Sequence, residues 1–213
     1  MTHSFDKNYW DEIWQSDRAA AMGTSRPNPH LIQEASDLTP GTALEAGCGA
    51  GAEAIWLAQH GWEVTAADVA AAALAVAADR AAAGGVAGRV TWVRADLSTW
   101  EPDTQYDLVT THYAHPAMPQ LEFYERIASW VAPGGSLLVV GHLHHASAAG
   151  HGHEHDGGHP PASAAVTADA VSARLDATEW DIVSARESHR TLDGPGGHPV
   201  SVHDAIVRAT RRR

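Results

Sequence analysis

Three groups of residues in this chain have types and spacings that could do chemistry. The first is the stretch from Glu45 to Gly51, EAGCGAG, in which an acid and three alternate glycines follow a short apolar run. Glycines at such a turn bring bare backbone N–H groups close to a ligand, whereas the preceding carboxylate faces phosphate unfavourably and welcomes a cation. The second group is His112, Tyr113 and His115, in the stretch THYAHP. A histidine of near-neutral pKa can take a proton from a hydroxyl or a thiol; the same side chains could instead only shape a pocket or cap the next helix. The third is a histidine-rich segment holding His142, His144, His145, His151, His153, His155 and His159, with Glu154 and Asp156 among them. Imidazole and carboxylate suit zinc, nickel or copper, but the irregular spacing also reads as a low-complexity loop that takes up metal adventitiously. His142 stands apart at the end of an apolar run, where with His112 or His115 it could line a pocket or complete a small metal site.

The elements that must position these groups are set by periodicity. From Thr42 onward short apolar runs alternate with helical patterns, which predicts a doubly wound α/β core with a mostly parallel, seven-stranded sheet. Strands are expected at 42–46, 62–67, 89–94, 106–111, 136–141, 178–186 and 201–208. Helices are expected at 51–60, 69–83, 117–131 and 167–176, the third from the spacing of Met118, Leu121, Tyr124, Ile127 and Val131. Before the core, Trp10, Ile13 and Trp14 form an apolar helical face, and Pro27 and Pro29 precede a second helix near 30–37. A single domain is expected, with a helical cap over 1–40, a ligand-binding core over 41–142, a His/Gly-rich loop over 143–165 and a C-terminal helix and strands over 166–213. In such a sheet ligands bind beyond the carboxyl ends of the strands, which is where the glycine turn falls.

Bulk properties exclude several function classes. With 14 basic and 26 acidic residues the formal charge is −12, which argues against nucleic acid or an anionic membrane as partner. Cys48 is the single cysteine, so there is no internal disulfide and no zinc-ribbon spacing; it reads as a small residue packed in the turn, since no adjacent base marks it as a nucleophile. No stretch approaches the roughly 18 apolar residues of a membrane span, and no signal-peptide pattern is present, so a cytoplasmic protein is expected.

The glycine turn and the strands after it resemble the class I S-adenosylmethionine-dependent methyltransferases. EAGCGAG is similar to their first motif, WEVTAADVA to the second strand ending in an acid, and VTWVRADLSTW to the third strand and its aspartate. YDLVTTHYAHP is similar to the fourth strand and its motif loop, and VAPGGSLLVVGH to the turn and fifth strand, so the resemblance spans roughly residues 40–142. It implies the Rossmann-like methyltransferase fold and S-adenosylmethionine as cofactor. Asp68, about 20 residues past the turn, would accept the ribose hydroxyls with Val69 beside it. Asp96 and Leu97 would meet the adenine, although an aspartate after a strand is also a common helix cap. Glu45, Gly47, Cys48, Gly49 and Gly51, with Thr111, would surround the methionine end.

Transfer from a sulfonium needs mainly alignment, exclusion of water and, for a protonated acceptor, a base. His112, Tyr113, His115 and His142 are therefore the catalytic candidates. NYWDEIWQ and RPNPHL further resemble the N-terminal region of small methyltransferases of the tellurite-resistance and thiopurine S-methyltransferase type. That implies Trp10, Trp14 and Arg26 as residues closing on the acceptor, with simple packing of the tryptophans as the alternative. The expected reaction is methyl transfer to a small molecule: a thiol, another chalcogen, or a heteroaromatic metabolite or toxin. Two other readings remain open on the sequence. One is an NAD-dependent oxidoreductase on the same sheet, and the other is a non-catalytic metal sensor that binds zinc or nickel through His142, His144, His151, His153 and His155.

Overall fold

A computed structural model of the protein describes residues 5–16, 18–143, 165–193 and 199–213. The apolar runs become parallel strands β1 (Thr42–Ala46), β2 (Glu63–Asp68), β3 (Val90–Arg94), β4 (Tyr106–His112) and β5 (Val131–Leu143). They are followed by β6 (Ala165–Val166) and the long pair β7 (Trp180–Asp193) and β8 (Pro199–Arg211). The order is β3-β2-β1-β4-β5-β8-β7, with β6 paired to the end of β5, and β8 runs antiparallel to both of its neighbours. Strand order therefore reverses between β1 and β4, and a crevice must open beyond their carboxyl ends.

The period of two along the strands divides the core between the sheet faces. Val109 and Leu137 pack with Phe123 and Ile127 of α6 (Gln120–Ala128) and with Val171 of α7 (Ala168–Ser172). Leu108 and Leu138 point the other way, to Leu31 of α3 (Pro29–Ala35), Leu57 of α4 (Ala52–Gln59) and Leu74 of α5 (Ala71–Ala83). The alanine-rich α5 is held close by Ala73, Ala77 and Ala81, which share one face at a spacing of four and are fully buried. Over its N-terminal end lie α1 (Lys7–Gln15) and α2 (Arg18–Gly23), and Trp14 of α1 packs with Ala50, Ala70 and Ala73.

The structure departs from the expected elements in five places, one being the helix expected at 167–176, which ends at Ser172. The sheet has eight strands among the described residues, the added one being the two-residue β6. Helix α6 starts at Gln120 because Pro119, extended at ψ 132, forms its cap, so Met118 lies outside it and Val131 already belongs to β5. The antiparallel pair β7–β8 outruns the expected 178–186 and 201–208, since its outer half carries polar side chains that give no apolar run to read. Helix α2 has no counterpart among the expected elements. Most of the histidine-rich segment, residues 144–164, lies outside the described residues.

One buried carboxylate ties the cap to the C-terminal strands. Asp204 of β8 is fully buried and accepts hydrogen bonds from His30 Nε2 of α3 (3.0 Å), the Tyr113 hydroxyl (2.5 Å) and Arg190 Nε of β7 (2.7 Å). Against the opposing effect of burial, these donors hold its carboxyl down at about 2. The Tyr113 hydroxyl also accepts from Arg190 Nη2 (2.8 Å) and Asn28 Nδ2 (3.3 Å). Tyr113 has φ +56, a conformation that costs a non-glycine residue energy and persists because these bonds anchor its ring.

Replacing Asp204 by alanine leaves Arg190 without its buried counter-charge and His30 Nε2 without its acceptor, and Asp204→Ala should cost about 3–5 kcal/mol in urea unfolding. Because the folded pKa is depressed, Asp204 stabilises fully above the unfolded carboxyl pKa of about 3.9, and its share should fade between about pH 4 and about pH 2. An acid-unfolding profile identical in wild type and variant would contradict this. Gly51→Ala should also destabilise the fold, by about 1–3 kcal/mol, because φ is +76 and an added Cβ would lie 2.6 Å from the Trp92 ring. A melting temperature equal to that of the wild type would contradict it.

Candidate active site

A cavity of about 1060 Å³ occupies the crevice at the strand-order reversal. One side is the turn after β1, with Gly47, Cys48, Gly49 and Ala50, together with Asp68 and Val69 after β2 and Ala95, Asp96 and Leu97 after β3. The facing side is residues 112–117 after β4. The cap supplies Phe5, Trp10, Trp14 and Arg26, while Glu53 and Arg190 reach in from α4 and β7.

The turn is shaped by its backbone. The N–H groups of Gly47 and Cys48 both donate to the Ala67 carbonyl, at 2.8 and 3.0 Å, and that of Gly51 closes back on Cys48 O at 2.8 Å. Gly47 has φ +84, and a Cβ there would sit 2.3 Å from the Ala114 Cβ, so the turns after β1 and β4 touch with no side chain between them. Asp68 Oδ2 accepts from Gly49 N (2.8 Å) and Oδ1 from Ala70 N (2.9 Å). Each oxygen keeps acceptor capacity on its cavity side, although burial raises the carboxyl pKa against those N–H bonds. Asp96 Oδ1 accepts from Ser98 N (2.9 Å) and Oγ (2.6 Å), a local turn that steadies the carboxylate, while the residue still lines the cavity.

Glu45, Gly51, Thr111 and His142 stand behind the wall. Thr111 Oγ1 donates to Ala46 O at 2.8 Å and so ties β4 to β1. Glu45 is 1% exposed, and its Oε1 lies 3.1 Å from His112 Nδ1. Burial pushes the Glu45 carboxyl well up and the His112 imidazole down, so both tend to their neutral forms. Cys48 is buried, and burial together with the Asp68 and Glu45 carboxylates raises its thiol well above the ordinary range, which suits a packed residue. Trp10 Nε1 donates to the His115 carbonyl (3.1 Å), drawing the cap onto the β4 turn, whereas Trp14 both packs on α5 and lines the cavity. Arg26 lies exposed at the rim.

The catalytic candidates differ in what they can offer. The Tyr113 hydroxyl donates to Asp204 and accepts from two donors, and burial and Asp204 drive its pKa up, so its proton is committed. His142 stacks on Tyr113 (4.6 Å) and on His115 (5.3 Å), and burial lowers it to about 4. His112 and His115 line the cavity, each with a buried Nε2 that has no partner among the described residues.

The expected metal site at His142 is not supported. Among the described residues no three or more His, Cys, Asp or Glu side chains are grouped to hold an ion, and His142 stacks on aromatic rings instead. His144, His151, His153 and His155 lie outside the described residues. The described residues also contain no helix long and apolar enough to cross a membrane.

Sequence reasoning missed Asn28, Glu53, Gln120, Arg190 and Asp204. Glu53 reads as an ordinary first-turn acid on α4, yet it lines the cavity and accepts from Asn28 N at 3.0 Å. Burial raises its carboxyl. Arg190 and Asp204 sit on strands with no motif around them.

Comparison with known proteins agrees with this geometry. A family model described as a methyltransferase domain matches residues 43–135. Thiocyanate methyltransferase 1 of Brassica oleracea is 26% identical over 173 residues, 78% of this chain and 72% of that protein. Probable thiol methyltransferase 2 of Arabidopsis thaliana is 25% identical over 138 residues, 62% of this chain and 60% of that protein, and the chain spans only 16% of a further curated relative it matches. Among solved structures, TehB from Haemophilus influenzae superposes with a TM-score of 0.69 at 13% identity over 97% of this chain and 67% of that one. NodS, an N-methyltransferase of Bradyrhizobium japonicum in complex with S-adenosyl-L-homocysteine, gives 0.69 at 16% identity over 99% and 100%. The strand order and these matches together show a Rossmann-like methyltransferase fold, with residues 43–135 similar to a methyltransferase domain.

Proposed function

We propose that this protein transfers the methyl group of S-adenosylmethionine to a small acceptor, a thiol, another chalcogen, or a heteroaromatic metabolite or toxin. One observation carries the reading: a single cavity joins a glycine cradle flanked by Asp68 and Asp96 to a second half lined by His112 and His115 and closed by the cap. The names of two relatives, thiocyanate methyltransferase 1 and probable thiol methyltransferase 2, favour sulfur among the acceptor atoms. A volume of about 1060 Å³ leaves room for a small acceptor beside the cofactor, and the net charge of −12 disfavours nucleic acid.

The side chains present fit this cofactor. At Gly47 and Gly49 the backbone itself forms the cavity surface, and a Cβ at Gly47 would displace the facing turn. Asp68 would hold the ribose hydroxyls with Val69 alongside, Asp96 and Leu97 the adenine, and the 47–51 backbone the methionine end. Thr111 and Gly51 act through the shape of the turn, and Glu45 through His112. When bound, S-adenosylmethionine supplies an electrophilic methyl on a sulfonium. The apolar rings of Phe5, Trp10 and Trp14 exclude water from it. An oxidoreductase on this sheet would gain little from Asp96.

Isothermal titration with S-adenosylhomocysteine, repeated with a chelator and with NAD in its place, tests the reading. Binding of S-adenosylhomocysteine alone, unaffected by the chelator, is expected; binding of NAD alone, or dependence on metal, would overturn it. Asp68→Ala should weaken that binding by about 2 kcal/mol through loss of a charged acceptor for two hydroxyls. Unchanged affinity in a variant that melts cooperatively would remove Asp68 from the cofactor site.

A further inference from the structure

The half of the cavity opposite the glycine cradle carries an imidazole whose hydrogen-bond partners settle where its proton sits. Gln120, the first residue of α6, is 6% exposed, and its Nε2 donates to the Ala114 carbonyl at 2.9 Å. It also meets the Tyr124 hydroxyl. A carbonyl cannot donate, so the bond to Ala114 fixes which way the amide points. The atom 3.0 Å from His115 Nδ1 is therefore the amide oxygen, Oε1. An amide oxygen only accepts, hence His115 Nδ1 bears the hydrogen. Burial holds the ring in its neutral form, with the Gln120 bond opposing, so Nε2 carries a bare lone pair. That nitrogen is buried and has no protein partner among the described residues, in a ring that lines the cavity. A buried acceptor left unpaired is costly and marks a place for a ligand proton.

From this geometry we infer that Gln120 is a positioning residue that fixes His115 as an Nε2 base, and that the acceptor enters as a neutral, proton-bearing group, a thiol in the first instance. The inference rests on the methyltransferase reading above and adds to it the base and the protonation state of the acceptor. In the step, the S–H bond breaks and an N–H bond forms on Nε2. The sulfur keeps the electron pair, which becomes its bond to the methyl group as that group's bond to the sulfonium breaks. The positive charge lost from the sulfonium reappears on the imidazolium, which returns its proton to water when the product leaves.

The neighbouring elements leave this role to His115. His112 also has a buried Nε2 without a partner among the described residues, but its Nδ1 faces the Glu45 carboxyl, which in the neutral form that burial favours can donate as well as accept and so does not fix the tautomer, and the Tyr113 hydroxyl is committed to Asp204. His142 of β5 stacks on His115 at 5.3 Å without bonding Nε2, and beyond it Arg190 and Asp204 pair with each other. From the cap, the Phe5 ring lies 5.4 Å away, and Asp6 and Lys7 line the same cavity. The Trp10 indole fixes the His115 carbonyl at 3.1 Å.

The test has two readouts on the full-length protein, after binding of S-adenosylhomocysteine has been established separately. In ¹⁵N-histidine NMR, His115 should show a protonated Nδ1 and a bare Nε2, with a mixture of tautomers in Gln120→Leu; a wild-type Nε2–H tautomer would overturn the inference. In kinetics, 1-propanethiol, which holds its proton at neutral pH, is compared with thiocyanate, which has none. For propanethiol, kcat/KM of the wild type should be flat around neutrality. His115→Gln should lose at least about 100-fold at pH 7 and climb tenfold per pH unit, since only pre-formed thiolate then reacts. Thiocyanate should change by no more than about threefold in either variant, a level that a general structural defect would exceed. Gln120→Leu should lose part of the propanethiol rate, whereas Gln120→Glu should keep most of it and move its acid limb to higher pH, because a carboxylate on Nδ1–H favours the imidazolium. Equal losses for both acceptors, or no turnover of either by protein that binds S-adenosylhomocysteine, would overturn the base and the neutral-thiol assignment while leaving the cofactor reading standing. Absence of S-adenosylhomocysteine binding would overturn the methyltransferase reading itself.

Discussion

The structure depends on the contact between Gly47 and Ala114, where the turns leaving β1 and β4 meet with no room for a further carbon. Strand order reverses between these two strands, so the sheet opens a crevice there, and the contact decides how narrow it is. One turn carries the glycine backbone and the other the histidines. Their touching makes the proposed cofactor cradle and the proposed acceptor chamber two halves of one cavity, brought together by main-chain packing rather than by long side chains. Positive φ at Gly47 and Gly51 is what lets the first turn fold back tightly enough, through its two hydrogen bonds to Ala67 O.

Around that contact the ionisable groups are driven to neutrality. Burial raises the Glu45 and Glu53 carboxyls and lowers the His112, His115 and His142 imidazoles. A reaction that begins with a cationic sulfonium and ends with its charge dispersed or moved needs no strong fixed counter-charge, and a low-dielectric chamber lined by neutral imidazoles suits it. A charged pair does persist at the edge of the cavity, which Arg190 lines. Asp204 and Arg190 pair behind Tyr113, where they fix the backbone conformation at φ +56 and join the cap to the C-terminal strands.

Much of this is legible in the sequence because parallel strands covered on both faces appear as apolar runs, and their carboxyl ends are punctuated by glycine and aspartate. The cradle, Asp68, Asp96 and the histidines of the β4 turn can be placed on one edge by that logic alone. Side-chain direction within a strand cannot, which is why Thr111 and Glu45 read as ligand contacts when Thr111 bonds Ala46 O and Glu45 faces His112. Asp204 lies 91 and 174 residues from Tyr113 and His30, so its role exists only once the antiparallel register of β8 is known. Gln120 is hidden for a different reason: its amide matters through one atom, and only the bond to Ala114 O says which atom faces His115.

The most direct test of the central claim is a crystal structure of the full chain with S-adenosylhomocysteine. The account predicts the ribose hydroxyls on Asp68, the adenine beside Asp96 and Leu97, and the thioether sulfur facing the 112–117 turn. A ligand seated outside the cavity, or one whose sulfur points away from that turn, would contradict it.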